Sequence, residues 1–249
     1  MYILCTNDDG YLATGLRTLT DAARSFGEVR VVAPDREQSA ASHSLTMHLP
    51  LRVAQVGDGV ESVTGTPTDC IALALAELLD HRPDLVLSGV NHGPNLGEDV
   101  LYSGTVAGAM EAAVFGIPAI AVSYVGRDAD RIPEYLPLLR RLLPKLAAGP
   151  DAPGGTLFNV NLPGIEPAGV RGVRFTRLGR RVYSDSVTRA RDPNGREYYW
   201  IGGGGVEWAP DESSDFHAVS QGYVSVTPLH LDLTHHRMLS DIRDWDLAL

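Results

Sequence analysis

The 249 residues carry 31 Asp plus Glu against 21 Lys plus Arg, a formal net charge of -10 at pH 7, which argues against nucleic acid or an anionic membrane surface as the main partner. Two cysteines, Cys5 and Cys70, give neither a disulfide framework nor a thiolate zinc site, and no apolar run reaches the roughly 18 residues that a membrane span needs. The length suits one α/β domain of generous size or one domain with an appended subdomain, and the chain enters a strand with no basic leader, so a cytoplasmic protein with a single domain over 1–249 is expected.

Residues 2–5 (Tyr-Ile-Leu-Cys) have the length and branching of a buried parallel strand, and the apolar period of 16–26 is helical. Between them Thr-Asn-Asp-Asp-Gly at 6–10 sets Asp8 and Asp9 on a strand-to-helix turn, the position where open parallel sheets bind ligands. Adjacent carboxylates repel each other at pH 7, and a hard divalent cation such as Mg2+ or Mn2+ suits them; taken alone, the motif reads more simply as a polar turn with a helix cap. A second strand is expected over 28–33, stopped by Pro34, followed by a Ser-rich loop over 36–46. Residues 51–63 alternate around Gly-Asp-Gly and predict a hairpin. Residues 70–79 predict a helix capped by Thr68 or Asp69.

A strand over 84–88 then runs into a Gly-rich loop, 89–104, before a helix of small residues at 105–115 and a strand at 117–123. This alternation over 1–125 predicts a doubly wound, parallel sheet. Beyond it, 131–148 reads as a surface helix, and 156–162 and 170–178 as strands. The stretch 179–215 contains the turn Asp192-Pro193-Asn194-Gly195 and the aromatic run Tyr198-Tyr199-Trp200-Ile201, and is better explained as a hairpin arm that packs on another subunit than as a solvated loop. Residues 222–249 supply a last strand, 222–229, and a short amphipathic helix, 239–247.

Three further polar stretches follow predicted strand ends, and such loops share one crevice at the sheet edge. Ser39 places a hydroxyl in the first. Ser88-Gly89-Val90-Asn91-His92-Gly93-Pro94-Asn95-Leu96-Gly97 offers two amides, Asn91 and Asn95, on a closely approachable backbone with neutral oxygens for a metal and N–H donors for an anion. Tyr102-Ser103-Gly104-Thr105 opens a helix whose first N–H groups and hydroxyls suit a phosphate, though the Lys of a Walker loop is absent. Read singly, each is a turn or a cap. His43, His48 and His230 lack metal spacing and read as solvated or hydrogen-bonded; His92 is retained as an acid for a leaving group.

Taken in order, Thr-Asn-Asp-Asp-Gly at 6–10, Val-Val-Ala-Pro-Asp-Arg at 31–36 with Ser39-Ala40, Gly-Thr-Pro-Thr-Asp-Cys at 65–70, Ser-Gly-Val-Asn at 88–91 with Gly-Pro-Asn-Leu-Gly at 93–97, Tyr-Ser-Gly-Thr-Val at 102–106 and Gly-Tyr-Val-Ser-Val-Thr-Pro-Leu at 222–229 resemble the SurE survival-protein family of metal-dependent nucleotidases. The resemblance spans nearly the whole chain and is weakest over 125–155 and 202–215. It implies a Rossmann-like phosphatase with a doubly wound, mostly parallel sheet and its nucleotide- and metal-binding core over 1–125, acting on nucleoside 5'- and 3'-monophosphates, with one divalent cation per subunit held by Asp8, Asp9, Ser39 and Asn91. It also implies homodimers or homotetramers that exchange the hairpin and the C-terminal segment. Asn95, Ser103, Gly104 and Thr105 would then neutralise phosphate charge, with Asp8 or Asp9 orienting the attacking water; direct attack by an aspartate stays open. A non-catalytic nucleotide sensor on the same fold, a hydrolase of amide or glycosidic bonds, and a purely structural oligomer are the competing readings.

Overall fold

Ile3 and Cys5 turn to one face of the first strand and Leu4 to the other, and all three are fully buried, so this strand is covered on both sides. The computed structural model describes residues 1–149, 155–182, 187–201, 207–243 and 245. In chain order the first half consists of β1 (Tyr2–Thr6), α1 (Thr14–Ala23), β2 (Glu28–Pro34), β3 (Val53–Gly57), β4 (Val60–Val63), α2 (Pro67–Leu73), β5 (Leu85–His92), α3 (Gly104–Val114) and β6 (Ala119–Tyr124). The second half adds α4 (Leu136–Ala147), β7 (Leu157–Leu162), β8 (Val173–Phe175), β9 (Arg181–Val182), β10 (Val187–Arg191), β11 (Glu197–Ile201), β12 (Glu207–Trp208), α5 (Asp215–Ser220), β13 (Val224–Leu229) and α6 (His236–Asp241).

One 9-stranded sheet runs in the order β3-β4-β2-β1-β5-β6-β7-β13-β8. From β4 to β7 neighbouring strands are parallel; β3 against β4 and β13 against β7 are antiparallel. Strand order reverses between β1 and β5, which makes the gap at their C-terminal ends the topological switch point. Leu16 and Leu19 of α1 with Leu139 and Leu143 of α4 cover one face, and Cys70, Ile71, Val106, Ala109 and Ala112 of α2 and α3 cover the other. Gly15 permits the closest approach: a Cβ there would stand 1.9 Å from the Val90 carbonyl oxygen, so α1 lies directly on the end of β5.

The α/β expectation holds, with local differences. The strand predicted at 84–88 continues through His92, so Asn91 stands on a strand end instead of in a loop. The helix cap expected at Thr68 or Asp69 is Thr66: Asp69 is the third helical residue of a capping box that reaches back to the Thr66 N–H at 2.8 Å. The expected 70–79 helix is α2 followed by a wider turn over Ala74–Leu78. The 131–148 helix is divided into a 3-10 segment, Ala129–Tyr135, and α4. Only Val173–Phe175 of 170–178 pairs as strand. The final helix expected at 239–247 begins earlier and is shorter, as α6, and the expectation for 244, 246 and 247 lies outside the described residues.

β10 and β11 form the anticipated hairpin, and it stands away from the core: Val187 is 57%, Tyr199 59%, Trp200 66% and Ile201 88% exposed. Its root is fixed. Asp215, fully buried, accepts the Gly97 N–H at 2.8 Å and the Gly179 N–H at 2.9 Å, and Trp208 stacks on Phe216 with ring centroids 5.0 Å apart.

Candidate active site

β1 ends at Thr6, and Asn7 closes the following turn by donating its amide to the Gly10 carbonyl at 2.9 Å, with Gly10 in a left-handed conformation at φ 95°. That turn buries Asp8 and leaves Asp9 half-buried. Asp8 Oδ1 accepts the Thr105 hydroxyl, and Gly104 packs against the same carboxylate: a Cβ on Gly104 would lie 2.8 Å from Asp8 Cβ and 2.9 Å from its Oδ2. The N-terminus of α3 therefore meets the first carboxylate directly. Ser103 caps this helix by accepting the Val106 N–H at 3.0 Å.

Asp9 Oδ2 accepts the His92 N–H at 3.1 Å, which draws the end of β5 beside the second carboxylate. The neighbouring Asn91 donates Nδ2 to the Gly93 carbonyl at 3.0 Å, so its amide oxygen is the atom left for a ligand. The Ser39 loop is fastened by the Gln38 N–H donating to the Asp8 carbonyl at 2.7 Å. Ser39 itself is exposed, and its hydroxyl donates to Glu37 at 2.6 Å. Asn95 is buried and heavily framed: its N–H donates to Asn161 at 3.0 Å, its carbonyl accepts from Asn159 at 2.8 Å and Asn161 at 3.0 Å, and its Nδ2 donates to Ser123 Oγ at 2.7 Å. His92 is exposed, with Nε2 against the Arg127 carbonyl at 3.0 Å.

Asp8, Asp9, Asn91, Gly104 and Thr105 thus converge at the switch point, with Ser39 one residue from a backbone tether to Asp8. Asn95 and Ser103 flank the group on loops held elsewhere. Sequence reading overlooked Glu37, Ser123, Asn159 and Asn161. The two asparagines had a signal, since polar residues two apart in a strand otherwise buried on both faces must serve a common neighbour. Glu37 carried none.

Burial pushes the Asp8 carboxyl up to about 6, with the Asp9 charge adding to the rise against the Thr105 hydrogen bond. Burial also raises Asp9, with Glu37 acting in the same direction. Two carboxylates made uncomfortable in their charged form by low solvation and by a neighbouring negative charge, Asp9 for Asp8 and Glu37 for Asp9, are the electrostatic condition that a cation relieves. Among the described residues no three His, Cys, Asp or Glu side chains form a metal cage, so a cation here relies on two carboxylates and neutral oxygens. That all-oxygen donor set, with the Asn91 amide oxygen already turned free, fits a hard divalent ion.

Comparison with known proteins gives a consistent picture. The family model described as "Survival protein SurE" matches residues 3–185. A protein named 5'-nucleotidase SurE from Gemmatimonas aurantiaca is 58% identical over 248 residues, covering 98% of each chain. One of the same name from Pelobacter propionicus is 47% identical over 246 residues, covering 98% of this chain and 99% of its own. The crystal structure of Sure protein from Aquifex aeolicus superposes with a TM-score of 0.85 at 41% identity, covering 97% of this chain and 98% of that one.

Proposed function

The chain belongs to the SurE family, and from that membership we infer that it is a 5'-nucleotidase, a phosphatase that hydrolyses nucleoside monophosphates to nucleoside and inorganic phosphate. We further propose that 3'-monophosphates are also substrates. The observation that carries the site assignment is the packing of the α3 N-terminus on Asp8 at the switch point, because it sets an anion-binding helix end beside a pair of carboxylates.

SurE nucleotidases are metal-dependent in general; in this chain Asp8, Asp9, Asn91 and Ser39 would hold the cation, one Mg2+ or Mn2+ per subunit. When bound, such an ion polarises the phosphoryl group and lowers the pKa of water beside it. The protein's own groups do the rest. The first N–H groups of α3 at Gly104 and Thr105 face incoming phosphate and neutralise the charge that its transition state spreads over the oxygens. Ser103 fixes the direction of those donors by capping the helix, and Asn95 borders the same space with the amide hydrogen that Ser123 leaves unused. Asp9, which keeps one oxygen without a partner among the described residues, orients water for in-line attack; Asp8, bound by Thr105, holds the helix end at the correct distance.

The exposed apolar hairpin supports a homodimer or homotetramer in which the arm and the C-terminal segment are exchanged, and the continuous sheet supports one domain over 1–249 with the arm at 179–215. Among the described residues no helix is long and apolar enough to cross a membrane, and the two thiols are free and buried, which fits a reducing cytoplasm.

Phosphate release from AMP in the presence of Mn2+ tests the reading. Release that stops with a chelator and returns with added metal is the expected result. AMP binding without release would favour a sensor, and free base without phosphate would identify a glycosidic hydrolase.

A further inference from the structure

Glu111, on the middle turns of α3, is buried, and the partner of its carboxylate among the described residues is a side chain 68 positions away: His43 Nε2 stands 2.7 Å from Glu111 Oε2. An ionised carboxylate only accepts, so the imidazole donates Nε2–H to it and, when neutral, keeps Nδ1 as an acceptor for a hydroxyl hydrogen. His43 is partly open to solvent and lines a cleft of about 300 Å³, at the lower end of the roughly 300–1,000 Å³ usual for small-ligand sites. Val100, Ala107, Met110 and Leu231 make its apolar wall, and Ser103 belongs to it. Ser103 is also the cap of the helix end that abuts Asp8, so the cleft begins where the phosphate position stops.

The loop that carries His43 is held under strain. Ala40 and Ser42, neither of them glycine, sit in the left-handed region at φ 58° and 53°. Three tethers keep it there: the Ser42 N–H on the Tyr102 carbonyl at 3.1 Å, the Thr66 hydroxyl on the Ser44 carbonyl at 2.8 Å, and Thr46 on Asp69. A histidine oriented by a buried carboxylate, on a strained loop, at the polar edge of an apolar cleft contiguous with a phosphate site, is more apparatus than loop packing requires.

We propose that His43, oriented by Glu111, accepts a hydrogen bond from a ribose hydroxyl of the nucleotide, whose nucleoside portion occupies the cleft lined by Val100, Ala107, Met110 and Leu231. This rests on the nucleotidase reading above and assigns His43 as a specificity-determining residue, with Glu111 as the residue that positions it.

The test compares AMP with 2',3'-dideoxy-AMP, which lacks the hydroxyls, and with inorganic phosphate as a product inhibitor, using the full-length protein with Mn2+. In His43→Ala the KM for AMP is expected to rise about tenfold with kcat within about twofold, the worth of one lost hydrogen bond to a substrate hydroxyl. The advantage of AMP over the dideoxy analogue should vanish, while inhibition by inorganic phosphate stays as in the parent. Glu111→Gln should move AMP in the same direction by less. Met110→Phe, which narrows the cleft without touching the polar pair, should also raise the KM for AMP and spare inorganic phosphate, and it keeps the proposal testable if His43→Ala does not fold.

Equal weakening of AMP and inorganic phosphate in His43→Ala would reduce the pair to a prop for the Ser39 loop and overturn the proposal. So would an unchanged KM for AMP, or a preference for AMP over the analogue that survives the substitution. Calorimetric binding of adenosine needs no turnover: weaker binding by His43→Ala supports the cleft even if the parent releases no phosphate from AMP, an outcome that would sink the nucleotidase reading alone.

Discussion

Asp9 presents a half-buried carboxylate with one oxygen spent on the His92 N–H and the other without a partner among the described residues. Exchanging it for an amide of the same shape keeps one hydrogen-bond acceptor and removes the charge. Asp9→Asn is therefore expected to lower hydrolysis at least about a hundredfold with an unchanged circular dichroism spectrum and melting temperature. A full rate in saturating Mn2+ would remove Asp9 from the mechanism. At this scale much is legible: the strand pattern delivers the turn of Asp8 and Asp9, the strand end of Asn91 and the helix start of Gly104 and Thr105 to one edge, and a Gly flanked by hydroxyl residues announces a helix end open to an anion. Asn159 and Asn161 were read only as strand residues, because their role depends on Asn95 lying 64 and 66 positions away. The pairing of His43 with Glu111 was equally hidden, for no spacing rule joins residues from a loop and a helix 68 apart.

Asp69 shows how an element is fastened to the site. Its Oδ2 accepts both the Thr66 N–H at 2.8 Å and the Thr46 hydroxyl at 2.6 Å, and its Oδ1 accepts the Thr46 N–H at 2.8 Å, so one buried carboxylate closes the start of α2 and the end of the 36–46 loop together. Asp69→Ala strands those donors, and a loss of about 3 kcal/mol in unfolding free energy by chemical denaturation is expected. A change within about half a kcal/mol, the range of an ordinary surface substitution, would mean that water replaces the carboxylate at no cost. Apolar periodicity located most elements, but not where β5 ends: Asn91 and His92 look like loop residues, yet they pair with Ser123 and Tyr124 because β6 beside them runs on to Tyr124 and supplies partners. Similarly, the cap Thr66 stands two or three residues before the positions expected from the sequence, and Asp69 serves the box instead of opening the helix.

For the molecule as a whole, the arm is the feature that a single chain leaves unfinished. Tyr199, Trp200 and Ile201 expose apolar surface on a two-stranded hairpin, and such a hairpin is marginal in water without a partner surface. Trp200→Arg combined with Ile201→Lys is expected to lower the assembly state in sedimentation velocity, with circular dichroism unchanged; an identical sedimentation coefficient would assign the interface elsewhere. The hairpin turn was readable from Asp192-Pro193-Asn194-Gly195, whereas its anchorage was not, since Asp215 reaches Gly97 across 118 positions. The reversal of strand order between β1 and β5 carries one more consequence, for synthesis. Both aspartates leave the ribosome within the first ten residues, yet Asn91 and the α3 start follow some eighty to a hundred residues later, so a nascent or prematurely terminated product shorter than about 105 residues holds half a site and stays inert.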